Sequence, residues 1–379
     1  MTNELTEEQR QVRDVCRAFA DQELAPSARR WDAEHAFPAV AVRRLGELGL
    51  MGVCVPAEWG GAGMDTLTYA LAMEELARGC AGTSVIVGVN KLYCDVVLAH
   101  GTDEQRREFL TPFARGERLG CFALTEPTSG SDAAAMQARA VEEGDRYVLT
   151  GTKSFITNGP QADAAVVFAA TDPAKGHRGI TAFLVPMDSP GLVRGKPDDK
   201  VGVRASASCQ LFFESCPIPK RLRLGAEGEG FRIAMSTLDG GRIGIAAQAV
   251  GVARAAHEKA LAYAKERRAF GKVIAEHQAI AFMLADMATE IDAARLLTWR
   301  AATLRDQGVR HATESAMAKL FASEMAERVT SSALQIHGGY GYMKDYDVER
   351  HWRDSRVAQI YEGTSEIQRM VISNALLKA

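Results

Sequence analysis

Glu362 has the setting most suggestive of chemistry. It lies in Ile360-Tyr361-Glu362-Gly363-Thr364-Ser365-Glu366-Ile367-Gln368-Arg369, where a carboxylate precedes a glycine and a Thr-Ser pair. A helical alternation of polar and apolar residues comes next. Gly363 lets the backbone turn tightly, and Thr364 or Ser365 can cap the helix that begins there. The spacing predicts Glu362 in a turn at a helix start, where its carboxylate can be aimed into a cavity. The same residues also suit a surface glutamate stabilised by the helix dipole.

The sequence lacks the signatures of several other enzyme classes. It has no G-x-x-x-x-G-K-[ST], no H-E-x-x-H and no G-x-G-x-x-G opening a βαβ unit. It has no G-x-S-x-G nucleophile elbow. The eight histidines are scattered, which argues against a metal site. Any nucleotide cofactor is therefore held without a Rossmann fold.

The elements that must position Glu362 can be read from the pattern of the chain. At 379 residues it is too long for one ordinary core and implies two or three domains. The 47% hydrophobic and 25% charged residues are those of a globular protein. A net charge of −3 gives no electrostatic case for nucleic acid. The seven cysteines are odd in number and form no C-x-x-C pair, so a reducing, cytoplasmic setting without disulfides or zinc is expected. The acidic start Met1-Thr2-Asn3-Glu4 resembles neither a signal nor a transit peptide. The apolar runs read as too short or too interrupted to span a membrane.

These patterns imply an α+β fold, with a helical domain over 1–120, a β-domain over 121–228 and a helical bundle over 229–379. Thr6-Glu7-Glu8-Gln9 opens a capped helix with Val12, Val15, Cys16 and Phe19 on one face. Val40 to Leu48 and Thr66 to Ala77 repeat that period. Pro56 to Gly63 reads as a helix-helix loop, although its glycines could also cradle a phosphate. Arg146–Thr150, Ala164–Phe168, Ile180–Val185 and Gln210–Phe213 are strand-like runs separated by turn residues. Ile280, Leu284, Met287, Ile291 and Ala294, then Met317, Phe321, Met325 and Val329, mark two long bundle helices.

Five segments, in order, resemble the acyl-CoA dehydrogenase family. Cys121-Phe122-Ala123-Leu124-Thr125-Glu126-Pro127-Thr128-Ser129-Gly130-Ser131-Asp132 is similar to its first signature. The Pro-Thr-Ser-Gly-Ser turn offers N–H groups and hydroxyls to a flavin and a thioester ligand. Gly151-Thr152-Lys153-Ser154-Phe155-Ile156-Thr157-Asn158-Gly159 resembles the second flavin segment, with Phe155 where the family commonly has Trp. Leu238-Asp239-Gly240-Gly241-Arg242 resembles the start of the helix lining the acyl pocket. Glu266-Arg267-Arg268-Ala269-Phe270-Gly271-Lys272 with His277-Gln278 resembles the segment that reaches a neighbouring subunit's FAD, and Gln335-Ile336-His337-Gly338-Gly339-Tyr340-Gly341 resembles the adenosine-side FAD loop. The helical stretches Thr237–Ala246 and Ala294–Ala302 are closest to the short-chain (butyryl-CoA) branch.

The resemblance implies an N-terminal helical domain, a middle β-domain and a C-terminal four-helix bundle. It implies FAD held by Phe122, Leu124, Thr125, Gly130, Ser131, Phe155, Ile156, Thr157, Thr364 and Glu366, with Gln335, Gly338 and Gly339 on its adenosine side and Arg267, Phe270 and Gln278 serving the neighbour. Ser131, Phe231, Met235, Leu238, Asp239, Arg242, Tyr361 and Gly363 would meet the acyl-CoA. Some family members carry their base just before the arginine of this helix. Here that residue is Gly241, so Glu362 would abstract the α-proton while the flavin accepts the β-hydride. The implied assembly is a homotetramer, with electron-transfer flavoprotein as acceptor and no metal. A branched-chain dehydrogenase, an acyl-CoA oxidase or flavin monooxygenase, and an inactive helical scaffold remain open alternatives.

Overall fold

The computed structural model describes residues 4–378. The N-terminal unit contains α1 (Glu7–Phe19), α2 (Ala25–Glu34), α3 (Ala39–Glu47), α4 (Thr66–Gly79), α5 (Ala81–His100), α6 (Asp103–Phe109) and α7 (Thr111–Ala114). The expected capping box is formed: the Thr6 hydroxyl accepts from the Gln9 N–H at 3.2 Å, and the Gln9 side chain accepts from the Thr6 N–H at 3.0 Å. The buried face of α1 is Gln9, Cys16 and Phe19, while Val15 is exposed. Gln9 also donates to Asp65 at 3.0 Å, just before α4, on the side of α1 that packs against that helix.

Pro56 to Gly63 is a helix-helix loop with one short helical turn over Ala57–Trp59. Two N-terminal helices depart from the sequence reading. Burial encloses α4 on nearly every side rather than along one stripe, because it packs among α1, α5 and the bundle. By length and composition α5 is apolar enough to cross a membrane, contrary to the expectation that no run is. It is instead a core helix, mostly enclosed by the fold.

The β-unit is one eight-stranded sheet built from β1 (Gly120–Ala123), β2 (Arg139–Glu143), β3 (Arg146–Thr157), β4 (Ala164–Ala170), β5 (Ile180–Pro186), β6 (Leu192–Pro197), β7 (Ser208–Pro219) and β8 (Arg223–Leu224). The strand order is β6-β7-β3-β2-β4-β5-β8, and β1 pairs parallel with β4. The four expected strands correspond to β3, β4, β5 and β7. Register shifts between Lys153 and Ile156 make a bulge in the β3–β7 pair. Phe155 stands on it with φ 59°, in the left-handed region that a non-glycine residue rarely adopts.

The C-terminal unit holds α8 (Gly230–Glu266), the hairpin β9 (Arg268–Ala269) and β10 (Lys272–Val273), then α9 (Gln278–Asp306), α10 (Ala312–His337), α11 (Val348–Ser355) and α12 (Ser365–Leu377). Three long helices of 37, 29 and 26 residues pack side by side, and α11 and α12 close against α10. The buried stripe of α9 includes Leu284, Met287, Ile291 and Ala294, as expected. On α10 the stripe is rotated: Ala318, Lys319, Ala322, Met325 and Val329 are buried, while Met317 and Phe321 lie at its margin.

Four helices are tied together by ionic contacts around Glu74 and Glu75 of α4. Arg254 of α8 donates to Glu74 at 2.6 Å and to Glu75; Arg295 of α9 reaches Glu74 at 2.9 Å, and Arg17 of α1 reaches Glu75 at 2.9 Å. Burial pushes the Glu75 carboxyl up, but hydrogen bonds from Arg254 and Arg17 outweigh it and hold the group at about 2. Removing one partner of such a network leaves buried charge uncompensated. We expect Glu75→Ala to cost about 3 kcal/mol in denaturant unfolding. The wild-type advantage should be full above pH 4.5 and fade as pH falls toward 2, since the folded-state carboxyl is depressed.

Candidate active site

Glu362 sits between a short helical turn over Arg356–Gln359 and the start of α12. Thr364 is the cap, its hydroxyl accepting the Ile367 N–H at 3.4 Å, and Ser365 is the first helical residue. Gly363 turns at φ 90°, as its position predicts, but Glu362 is itself left-handed at φ 50°. Such a residue costs about 1–3 kcal/mol and persists only when its surroundings fix it. The turn thereby delivers the carboxylate inward, against α8.

Burial pushes the Glu362 carboxyl up to about 7, against the pull of the Lys319, Arg242 and Lys91 cations. Its Oε2 is buried and has no hydrogen-bond partner among the described residues. The packing around it explains the sequence at position 241. A Cβ on Gly241 would lie 2.3 Å from Glu362 Oε2 and 2.9 Å from Leu92 Cδ2, so the carboxylate occupies the space a side chain would take.

Glu362 borders three adjoining cavities. One of about 280 Å³ lies between the sheet and α8 and brings together Phe122, Leu124, Thr125, Gly130, Ser131, Phe155, Ile156 and Thr157 from the β-unit. Its other wall carries Phe231, Met235, Leu238 and Arg242 of α8, with Tyr361 and Gly363 beside Glu362. The second, about 660 Å³, shares Thr125, Ser131, Phe155 and Thr157 and adds Thr364 and the 198–208 loop. The third is a narrow recess of about 10 Å³ beyond the carboxylate, room for one water-sized sphere. Tyr69, Met73, Leu92, Gly244 and Ile245 bound it, rather than the Phe231, Met235 and Leu238 group.

The remaining candidates are placed elsewhere. Asp239 lines none of these cavities; its carboxylate holds Arg242 at 2.5 Å. Glu366 is exposed in the first turn of α12, where backbone N–H groups lower its carboxyl. Arg267, Gly338 and Gly339 line a separate cavity of about 590 Å³, with the Arg267 guanidinium 5.4 Å from the Tyr340 ring centre. Phe270, Gln278 and Gln335 are exposed, and Phe270 projects almost wholly into solvent. Thus this last group does not join Glu362 within one chain.

Sequence reasoning overlooked the residues behind the carboxylate: Tyr69, Lys91, Leu92, Lys319 and Gln368. Lys319 carried a signal, since it is the one charged residue among the small residues Ser315, Ala318, Ala322 and Ser323. Lys153 is buried too, donating to Glu126 at 2.8 Å and to the Leu124 carbonyl at 3.0 Å. Glu126 also accepts the Ala138 N–H at 3.0 Å, so this pair pins the 124–131 loop to the sheet.

Comparison with known proteins agrees over the whole chain. The N-terminal, middle and C-terminal domain models of acyl-CoA dehydrogenase match residues 6–117, 121–216 and 228–377. The chain is 54% identical over 377 residues to the mitochondrial short-chain specific acyl-CoA dehydrogenase of Bos taurus, covering 99% of this chain and 92% of that protein. Its structure is similar to butyryl-CoA dehydrogenase from Megasphaera elsdenii, with TM-score 0.98, 43% identity and full coverage of both chains. A chain in the structure of the electron transferring flavoprotein of Acidaminococcus fermentans, described in terms of flavin-based electron bifurcation, gives TM-score 0.99 at 47% identity, again with full coverage of both.

The raised Glu362 carboxyl makes a testable statement about the ligand-free protein. Its value of about 7 in the fold exceeds the ordinary 4.5, so its contribution to stability is full below pH 4.5 and is lost as pH rises through 7. Glu362→Gln has no such loss. The variant should therefore gain on wild type by on the order of 2 kcal/mol between pH 5 and pH 8, measured by denaturant unfolding.

Proposed function

The chain belongs to the acyl-CoA dehydrogenase family, and from that premise we propose that Glu362 is the base that takes the α-proton of a short-chain acyl-CoA thioester. The enzyme is an FAD-dependent oxidoreductase that dehydrogenates short-chain acyl-CoA to the 2-enoyl-CoA. The observation that carries the base assignment is an unpartnered, buried carboxylate at about 7, facing the cavities from a strained turn. A general base works best when its pKa lies near the working pH.

The β-unit fits a flavin. Phe155 is 71% exposed and held out by the bulge into the 280 and 660 Å³ cavities, where its apolar ring suits a planar ligand. Thr125, Ser131 and Thr157 supply polar groups around it, and Thr364 closes the far rim. Bound FAD supplies the hydride acceptor and the oxidising capacity. The protein's own residues do the rest. Arg242, fixed by Asp239, and Ser131 would orient the coenzyme A end. The Glu362 N–H, which has no intramolecular acceptor among the described residues, would donate to the developing enolate oxygen. Beyond Glu362 the space narrows to a recess bounded by Tyr69, Met73 and Ile245, which supports a short acyl group.

The distant cavity at Arg267, Gly338 and Gly339 suits a dinucleotide pyrophosphate and adenosine, with Phe270, Gln278 and Gln335 at its approaches. We assign it to the FAD of a neighbouring subunit in a homotetramer. Electron-transfer flavoprotein is the proposed acceptor, in keeping with the similarity to a chain in that structure. Seven free cysteines favour a reducing compartment, and we place the enzyme in the cytoplasm. The domain divisions near 120 and 229 likewise stand as our reading.

Anaerobic addition of butyryl-CoA should bleach the bound flavin of wild type. Glu362→Gln should retain FAD and acyl-CoA yet lose on the order of a hundredfold to ten-thousandfold in turnover. Near-normal turnover in that variant would remove Glu362 from the role. Chain length gives a separate measurement. Each buried methylene contributes about 0.8 kcal/mol until the closed end of the cavity is met, so kcat/KM from propionyl- to dodecanoyl-CoA should peak near butyryl and fall by octanoyl.

A further inference from the structure

The turn that carries Glu362 is held by two side chains that the proposed chemistry does not use. Lys319 of α10 is completely buried, and its Nζ donates to the Gly363 carbonyl at 2.5 Å. Gln368 of α12 is also completely buried, and its Nε2 donates to the Gly363 carbonyl at 2.9 Å and to the Glu362 carbonyl at 3.3 Å. The Gly363 carbonyl is thus tied to helices on either side, and the Glu362 carbonyl to α12. That is the kind of fixing a strained backbone requires.

The two donors differ in charge. Three cations act on the Glu362 carboxylate: Lys319 from α10, Arg242 from α8 and Lys91 from α5. Arg242 is paired with Asp239 at 2.5 Å, and Lys91 with Asp95 at 2.6 Å, where Arg305 of α9 also binds. Lys319 alone is bonded to a neutral carbonyl. The remaining titratable groups around the turn are Tyr69 of α4 and Tyr361, both held neutral by burial, and exposed Glu366 of α12. Burial lowers the Lys319 ammonium to about 8, partly offset by Glu362, so it is charged at neutral pH.

We propose that Lys319 is the positioning residue for Glu362, tying its turn to α10 and supplying the uncompensated positive charge beside the carboxylate. The inference rests on the reading of Glu362 as base. A purely packing role would be served by any side chain of this length. A charge role requires that the ionisation of the base track the charge at position 319. The hydrogen bond and the charge can be removed separately, because glutamine retains a donor without charge and arginine retains charge with a different shape.

The test is the pH dependence of kcat/KM for butyryl-CoA, measured on FAD-loaded wild type, Lys319→Met, Lys319→Gln, Lys319→Arg and Gln368→Met. In both neutral variants the acidic limb should move up by about one pH unit, since loss of a neighbouring charge favours the protonated acid. The rate at pH 7 should then fall about fivefold and recover almost fully at pH 9, with KM changed less than threefold. Lys319→Arg should return the limb to its wild-type position. Gln368→Met should lower kcat with the limb unmoved, because it removes a donor but no charge. A neutral variant with the wild-type limb overturns the proposal. If the neutral variants fail to fold with FAD, Lys319→Arg decides alone: a limb raised by a unit in that variant overturns it. Undiminished turnover in Glu362→Gln would instead refute the base assignment, so the two failures are distinguishable.

Discussion

The site depends on one constraint: a carboxylate must be dry enough to act as a base near neutrality and yet able to ionise there. Water would stabilise the anion and leave it a weak base; complete isolation would keep it protonated. The fold resolves this by geometry. Glu362 reaches inward from a turn that only a backbone with two left-handed residues can make, into space vacated by Gly241. The opposing cations are kept at the distance of neighbouring helices rather than in direct ion pairs. Direct pairing with any of them would have pulled the group down into the ordinary carboxylate range.

The two halves of the site are built in different ways. The sheet offers a rigid face with one irregularity, the bulge at Phe155, held in register by β3 and β7. Its approach loop is fixed from below by the buried Lys153–Glu126 pair. The helical side is fixed by close packing: α8 carries a run of alanine and glycine that lets α4, α5 and α10 approach it. Each half carries strain where the two meet. Phe155 and Glu362 are both non-glycine residues in the left-handed region, and both line the shared cavities.

Much of this was legible in the sequence because it was local. The capping box at Thr6 and Gln9, the four longest central strands and the turn at Gly363 are each set by neighbouring residues. The features that escaped were decided by tertiary partners. The short strands β1, β2, β6 and β8 are too brief or too polar to declare themselves without the sheet they join. The burial of α4, the true face of α10 and the exposure of Val15 depend on which helices lie alongside. At the site, motif residues were identifiable by resemblance, whereas Tyr69, Leu92, Lys319 and Gln368 act from behind and carry no motif. The left-handed backbone at Glu362 was also hidden, since glycine alone was expected to make that turn.

The setting of α5 has a consequence for biosynthesis. This helix emerges early, yet it is sheathed by β1 from the sheet and by α8 from the bundle. Its partner α8 ends at Glu266, so the ribosome must add well over a hundred residues after His100 before that sheath exists. At about 5–20 residues per second, the wait is on the order of ten seconds. During that interval the nascent chain displays an apolar helix long enough to attract chaperones, other chains or a lipid surface. The N-terminal helices therefore depend on the sheet and bundle for their burial, and the order of synthesis sets the period in which this protein is most vulnerable to misfolding.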